Sequence, residues 1–177
     1  MKRGFSLIEL LVVVAIIGIL GVTGIGIIKS NASPSTATQE IFYPEPTNYL
    51  VDSSEVLNED TQITASLKEK EFDQIAQVAI VTVKTVKPLS IEEYAIKLAE
   101  KWKVGYKGLD NGVILLIATE DRKLRIEVGR GLEGSLTDIE AKTIIDKVIT
   151  PYLKEGKWDE GVKAGVKAIK QEIRMGD

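Results

Sequence analysis

Apolar residues are gathered in two ways in this chain: as one continuous run near the N terminus, and as short periodic sets from residue 58 onward. Leu10 to Ile28 is an uncharged stretch of 19 residues. As a helix rising about 1.5 Å per residue it nearly crosses a hydrocarbon core of roughly 30 Å. Ser30 to Gln39 then reads Ser-Asn-Ala-Ser-Pro-Ser-Thr-Ala-Thr-Gln, which with Pro34 predicts a flexible or extended tether. Ile41 to Tyr49 carries Pro44 and Pro46 among aromatic neighbours, as an extended lead-in packed on a folded body would.

In that body, Asn58 followed by Glu59 and Asp60 predicts a helix start capped by Asn58, with Ile63 and Leu67 on one face. Gln77 to Val83 is a short apolar run, predicted to be a strand buried on both faces. Ser90 and Glu93 have the spacing of a capping box, with Leu89 and Tyr94 as its hydrophobic staple. Tyr94, Leu98 and Trp102 line the buried face of that helix. Val113 to Ala118 is a second apolar strand, and a helical crossover between two such strands makes them parallel. After a turn at Thr119–Arg122, Lys123 to Val128 alternates strictly, predicting a half-exposed strand in a hairpin with its predecessor. Thr137 and Glu140 form a second capping box, opening a helix with Ile144, Ile145, Val148 and Ile149 that Pro151 interrupts. A last helix places Trp158, Val162, Val166, Ile169 and Ile173 on one face, with Gly161 and Gly165 permitting close packing. The fold class is therefore α/β, a small mixed sheet covered by about four helices.

A chain of 177 residues, 44% apolar and 28% charged, is long enough for one good core. A net charge of −3 offers no basic surface for nucleic acid, and none is expected as a partner. The chain has no Cys and no His. Disulfides, thiolate nucleophiles, Ser-His-Asp triads and thiolate or imidazole zinc sites are thereby excluded. Any metal must be held by oxygen, which favours Ca²⁺ or Mg²⁺.

Candidate chemistry follows from the hairpin. The start of one strand lies beside the end of the next, so Asp110, Asn111, Arg130 and Glu133 should share one end of the sheet. There Gly129, Gly131 and Gly134 would leave backbone groups free to face an ion; ordinary turn chemistry accounts for the same residues equally well. Asp52 and Asp121 are further polar candidates, with Asp121 at the opposite end.

The N terminus has two readings. One is a secretory signal cut after the small-x-small sequence Ser30-Asn31-Ala32. The other rests on Lys2 and Arg3, then Gly4, then Phe5-Ser6-Leu7-Ile8-Glu9 running directly into the apolar helix. An acid there is costly in lipid unless it has a partner. This order resembles the class III leader of type IV prepilins. The resemblance implies cleavage after Gly4 by the prepilin peptidase, methylation of Phe5, and pairing of Glu9 with the N-terminal amine of a neighbouring subunit during assembly. Lys2 and Arg3 keep the N terminus cytoplasmic and the body outside. Gly18, Gly21, Gly24 and Gly26 either let such helices approach closely or reflect the ordinary glycine content of membrane helices.

From about Tyr49 to Ile173 the chain resembles a second family, the TPM domains. The resemblance is carried by Val81-Thr-Val83, Ser90-Ile-Glu-Glu-Tyr-Ala95, Lys107-Gly-Leu-Asp-Asn-Gly-Val113, Asp121-Arg-Lys123 and Arg125-Ile-Glu-Val-Gly-Arg-Gly-Leu-Glu-Gly134. It implies an α/β/α layered domain; some members bind Ca²⁺ through acidic loop residues, and a phosphatase activity has been ascribed to some. Any such activity here would depend on metal and carboxylates alone.

The expected organisation is a leader at 1–4, a transmembrane and filament-core helix at 5–29, a linker at 30–48 and a TPM-like domain at 49–177. The expected function is that of a pilin-like subunit, major or minor. It begins as an inner-membrane precursor, is processed by the prepilin peptidase and pilus machinery, self-assembles into a pilus or pseudopilus, and displays the domain at the cell surface for adhesion. The alternative is a membrane-tethered, Ca²⁺-binding TPM protein with an envelope-maintenance or phosphatase-like role, with Asp110, Asn111 and Glu133 as candidate ligands.

Overall fold

The computed structural model describes residues 41–176, and the leader, the apolar run, Gly4, Phe5 and Glu9 lie outside the described residues. Among the described residues no helix is long and apolar enough to cross a membrane.

Four strands form one sheet in the order β1-β2-β3-β4: β1 is Leu50–Asp52, β2 Gln77–Val83, β3 Gly112–Ala118 and β4 Lys123–Val128. The first three run parallel and β4 is antiparallel to β3, with Leu50 opposite Ile80, Ile80 opposite Leu115 and Leu115 opposite Ile126. β3 is apolar throughout and β2 is apolar apart from Gln77 and Thr82, because both their faces are covered, whereas β4 alternates. The two faces build two separate cores. Val78, Ile80, Val113, Leu115, Ile117 and Ile126 pack with helices α1 (Asp60–Leu67), α3 (Asp138–Thr143) and α5 (Trp158–Gly176). Ala79, Val81, Val83, Ile114, Leu116 and Ala118 pack under α2 (Ile91–Trp102). The result is the expected mixed sheet between helical layers.

Local chemistry sets the helix starts. Ser90 and Thr137 each accept the N–H of the residue three ahead, while Glu93 and Glu140 reach back, so both capping boxes form. Asn58 does not cap α1; Glu59 occupies that position without a side-chain cap bond. The N–H groups of Asn58 and Glu59 instead donate to Asp159 Oδ1, both at 2.9 Å. Pro151 does not end its helix either. Between α3 and α4 (Thr150–Lys154) the backbone widens into a π-helical segment, Ile144–Ile149. Pro151 lacks an N–H and crowds the carbonyl four residues back, so the wider turn shifts the register and lets the helix continue. Close packing then depends on Gly165, where a Cβ would stand 2.6 Å from Ile149 Cδ1.

Strand β1 is missing from the sequence reading. Three residues cannot show a period, and pairing with β2 alone defines it. The lead-in before it packs as expected: the Tyr43 ring stacks on Tyr94 at 4.7 Å, Tyr94 Oη donates to the Phe42 carbonyl at 2.5 Å, and Trp102 Nε1 donates to the Pro44 carbonyl at 2.9 Å. Burial pushes the Tyr94 hydroxyl well above its ordinary value, so it remains a donor.

Candidate functional site

Both ends of the sheet carry polar residues. At the end where β3 begins and β4 stops, Asp110 is held in the left-handed region with φ of 48°, which Asp tolerates better than most residues. Its carboxylate lies 3.7 Å from Arg130, as the hairpin geometry predicts. Both side chains are exposed, so the pair contributes less than about 1 kcal/mol. Asn111 is used differently. Its Oδ1 accepts from Tyr106 N at 2.7 Å, and its Nδ2 donates to the Ile75 carbonyl at 2.6 Å. It is 5% exposed and fastens the loop before β3 to the segment before β2.

The glycines after β4 serve close approach rather than ion binding. A Cβ at Gly129 would lie 2.0 Å from the Asp110 carbonyl oxygen, and one at Gly131 would lie 1.9 Å from that of Leu109. Their N–H groups are taken as well, Gly129 N by Gly112 O at 2.8 Å and Gly131 N by Asp110 O at 3.0 Å. Among Gly129, Gly131 and Gly134, it is Gly134 that stands in open space.

Two hollows flank this end. The larger, of about 760 Å³, runs between α2 and the hairpin and mixes Lys103, Lys107 and Arg130 with Glu100, Asp110 and Glu127. Glu133 lines the other, with Arg125, Glu127 and Asp138. Ca²⁺ takes six to eight oxygens, usually from several carboxylates. Among the described residues no group of three or more acids is placed to share an ion. Asp110 and Glu133 line separate hollows, and Asn111 has committed both amide atoms. This donor set does not fit Ca²⁺, and no chemistry is routed through a metal here.

The opposite end lies at the carboxyl ends of the parallel strands, where open α/β sheets bind ligands. Asp52, closing β1, accepts from Leu57 N at 2.8 Å and from Thr82 Oγ1. Thr82 Oγ1 also accepts from Ser54 N at 3.1 Å, and Thr119 Oγ1 donates to Ser54 Oγ at 3.2 Å. Through Ser54, whose N–H serves Thr82 and whose hydroxyl accepts from Thr119, the ends of all three parallel strands are linked to one carboxylate. Asp60 stands close enough that its carboxyl is pushed above the ordinary range, by burial first and then by Asp52 and Asp159. Asp121, at this end as predicted, accepts from Val86 N at 2.8 Å and from Thr85 Oγ1 at 3.0 Å. The Val86 N–H is the chief cause holding its carboxyl below the ordinary range. Asp121 therefore ties the β3–β4 turn to the loop after β2. Sequence reasoning missed Asp60, Asp159 and the hydroxyls as site residues, because the parallel register brings Asp52 beside Thr82 and the packing of the first and last helices brings Asp159 to Asn58 and Glu59.

The comparisons with known proteins agree with this architecture. The family described as the TPM domain matches residues 50–172, and the prokaryotic N-terminal methylation motif matches residues 1–25. That motif is typical of type IV prepilin leaders. No curated protein matches the chain. Among solved structures, the N-terminal domain of a P. gingivalis protein is similar with a TM-score of 0.65 and 28% identity, over 73% of this chain and 83% of that one. The N-terminal domain of a Corynebacterium glutamicum protein aligns with a TM-score of 0.55 and 15% identity, over 75% of this chain and 86% of that one. The BA42 protein of Bizionia argentinensis aligns with a TM-score of 0.54 and 17% identity, over 75% and 86%. The last two share the fold.

Proposed function

Given that the chain belongs to the TPM domain family and bears a prokaryotic N-terminal methylation motif, we propose that it is a pilin-like subunit that carries its TPM domain into a filament. The precursor enters the inner membrane through Leu10–Ile28 with Lys2 and Arg3 on the cytoplasmic side. The prepilin peptidase cuts after Gly4, Phe5 is methylated, and the helix from Phe5 onward assembles with copies of itself into a pilus or pseudopilus. The observation that carries this reading is the motif over residues 1–25 with Glu9 inside it. A carboxylate in lipid and a charged amine at a newly cut end each lack a partner until a second helix arrives. Glu9 then sets the register between neighbours.

The competing reading, a membrane-tethered Ca²⁺-binding protein with an envelope or phosphatase-like role, calls for converging carboxylates, and Asp110 and Glu133 line separate hollows. Filament display of the domain is therefore preferred.

Mass measurement of the mature chain, in cells with and without the prepilin peptidase, tests the proposal. An N-methylated Phe5 at the mature terminus, an uncut precursor without the peptidase, and the chain in sheared surface filaments are expected. A leader still removed without the peptidase, or a mature chain beginning at Ser33, overturns it.

A further inference from the structure

A cavity of about 460 Å³ lies between the tip of the β3–β4 hairpin and the corner where α4 meets α5. Its charged lining is of one sign. Arg122 and Lys123 come from the hairpin tip and Lys154 from the end of α4, and no acidic side chain lines it. Among the described residues none of the three cations takes part in an ion pair, whereas Lys157 nearby is engaged by Glu155 at 2.7 Å. Asp121, adjacent to Arg122 in sequence, spends its carboxylate on Val86 and Thr85. Thr119 and Thr150 add hydroxyls to the wall, Trp158 adds an indole, and the floor is aliphatic. The larger hollow at the other end of the sheet, with three cations against three acids, has no such bias.

Arg122 also occupies a backbone position that an L side chain rarely adopts, with φ of 54°. Glycine is at ease in that conformation and Arg is not. A long cationic side chain kept where the backbone favours glycine is explained if the guanidinium is used.

We propose that this cavity binds a small amphiphilic anion, a phosphate-type oxyanion head carried on a flat one- or two-ring body. The guanidinium and the two ammonium groups meet the charged head, the Thr150 hydroxyl donates to its oxygens, and the ring body lies on Trp158 and the aliphatic floor. A pocket of this size takes a compact ligand and excludes the acyl chains of a diacyl lipid. Nothing in the lining supplies a nucleophile with a base beside it, so the proposal is of binding alone, and it is independent of filament assembly.

The test is calorimetric titration of the full chain in phosphatidylcholine nanodiscs with 1-naphthyl phosphate, against 1-naphthol and inorganic phosphate and with empty nanodiscs subtracted. Naphthyl phosphate should bind saturably and at least tenfold more tightly than either half alone. Arg122→Gly should weaken binding at least tenfold while leaving Tm unchanged or raised, and Lys154→Gln should weaken it similarly. Equal binding of naphthol would overturn the role of the cations. Binding that survives both substitutions, or no saturable binding, would overturn the site. If Arg122→Gly lowers Tm, the Lys154→Gln result decides.

Discussion

Asp159, in the first turn of α5, accepts the backbone N–H of Asn58 across 101 positions of chain and that of Glu59 beside it, both at 2.9 Å. One carboxylate from the last helix thus satisfies the donors at the entry to α1, which has no cap of its own. Burial alone would push this carboxyl up; the hydrogen bonds from Glu59 and Asn58 outweigh it, and its pKa is held below the ordinary 3.8. A depressed pKa contributes stability that is complete above the unfolded value and is lost as pH falls through the folded one. Asp159→Ala is expected to cost about 2 kcal/mol at neutral pH. Asp159→Asn should flatten the fall of Tm with pH below about 3.8. Thermal unfolding across pH 2–7 checks both; an unchanged acid limb in Asp159→Asn would contradict the assignment.

Gly131 tests the tight return after β4. A methyl group there meets the Leu109 carbonyl oxygen at 1.9 Å, so backbone must move. Gly131→Ala should destabilise by about 3 kcal/mol in denaturant unfolding. Gly134→Ala, which meets nothing within 4 Å, should be close to neutral.

The lead-in should loosen when its hydrogen bonds are removed. Trp102→Phe keeps an aromatic ring on α2 but deletes the bond to the Pro44 carbonyl, at a cost of about 1 kcal/mol. Limited proteolysis should then cut faster within residues 41–48. Equal cleavage rates would show that the stacking of Tyr43 on Tyr94 holds the segment unaided.

Glu9 separates processing from assembly. Glu9→Ala is expected to leave cleavage after Gly4 intact and to remove the chain from sheared filaments, as immunoblots of cell and sheared fractions would show. Normal incorporation would remove the registry role assigned to the acid.

The legible parts of this molecule were those written in local spacing. Ser90 with Glu93 and Thr137 with Glu140 announced their helices, the apolar runs announced β2 and β3, and hairpin geometry alone placed Asp110 beside Arg130. What escaped depends on distant partners. β1 exists through its register with β2, and α1 borrows its cap from Asp159. The cationic cavity joins residues from a turn and from a helix some thirty positions later. Asn111 was legible as polar and near the hairpin, yet its commitment to Tyr106 and Ile75 could be seen only once the loop was folded.

The fastening of Phe42–Glu45 to α2 has a mechanical corollary. Tension passed down the chain from its N-terminal side meets Tyr43 on Tyr94, Trp102 on Pro44 and the Lys101–Glu45 pair at 2.8 Å before it reaches the first strand of the sheet. These few contacts would yield first and re-form when slack returns, a fuse that spares the sheet under load.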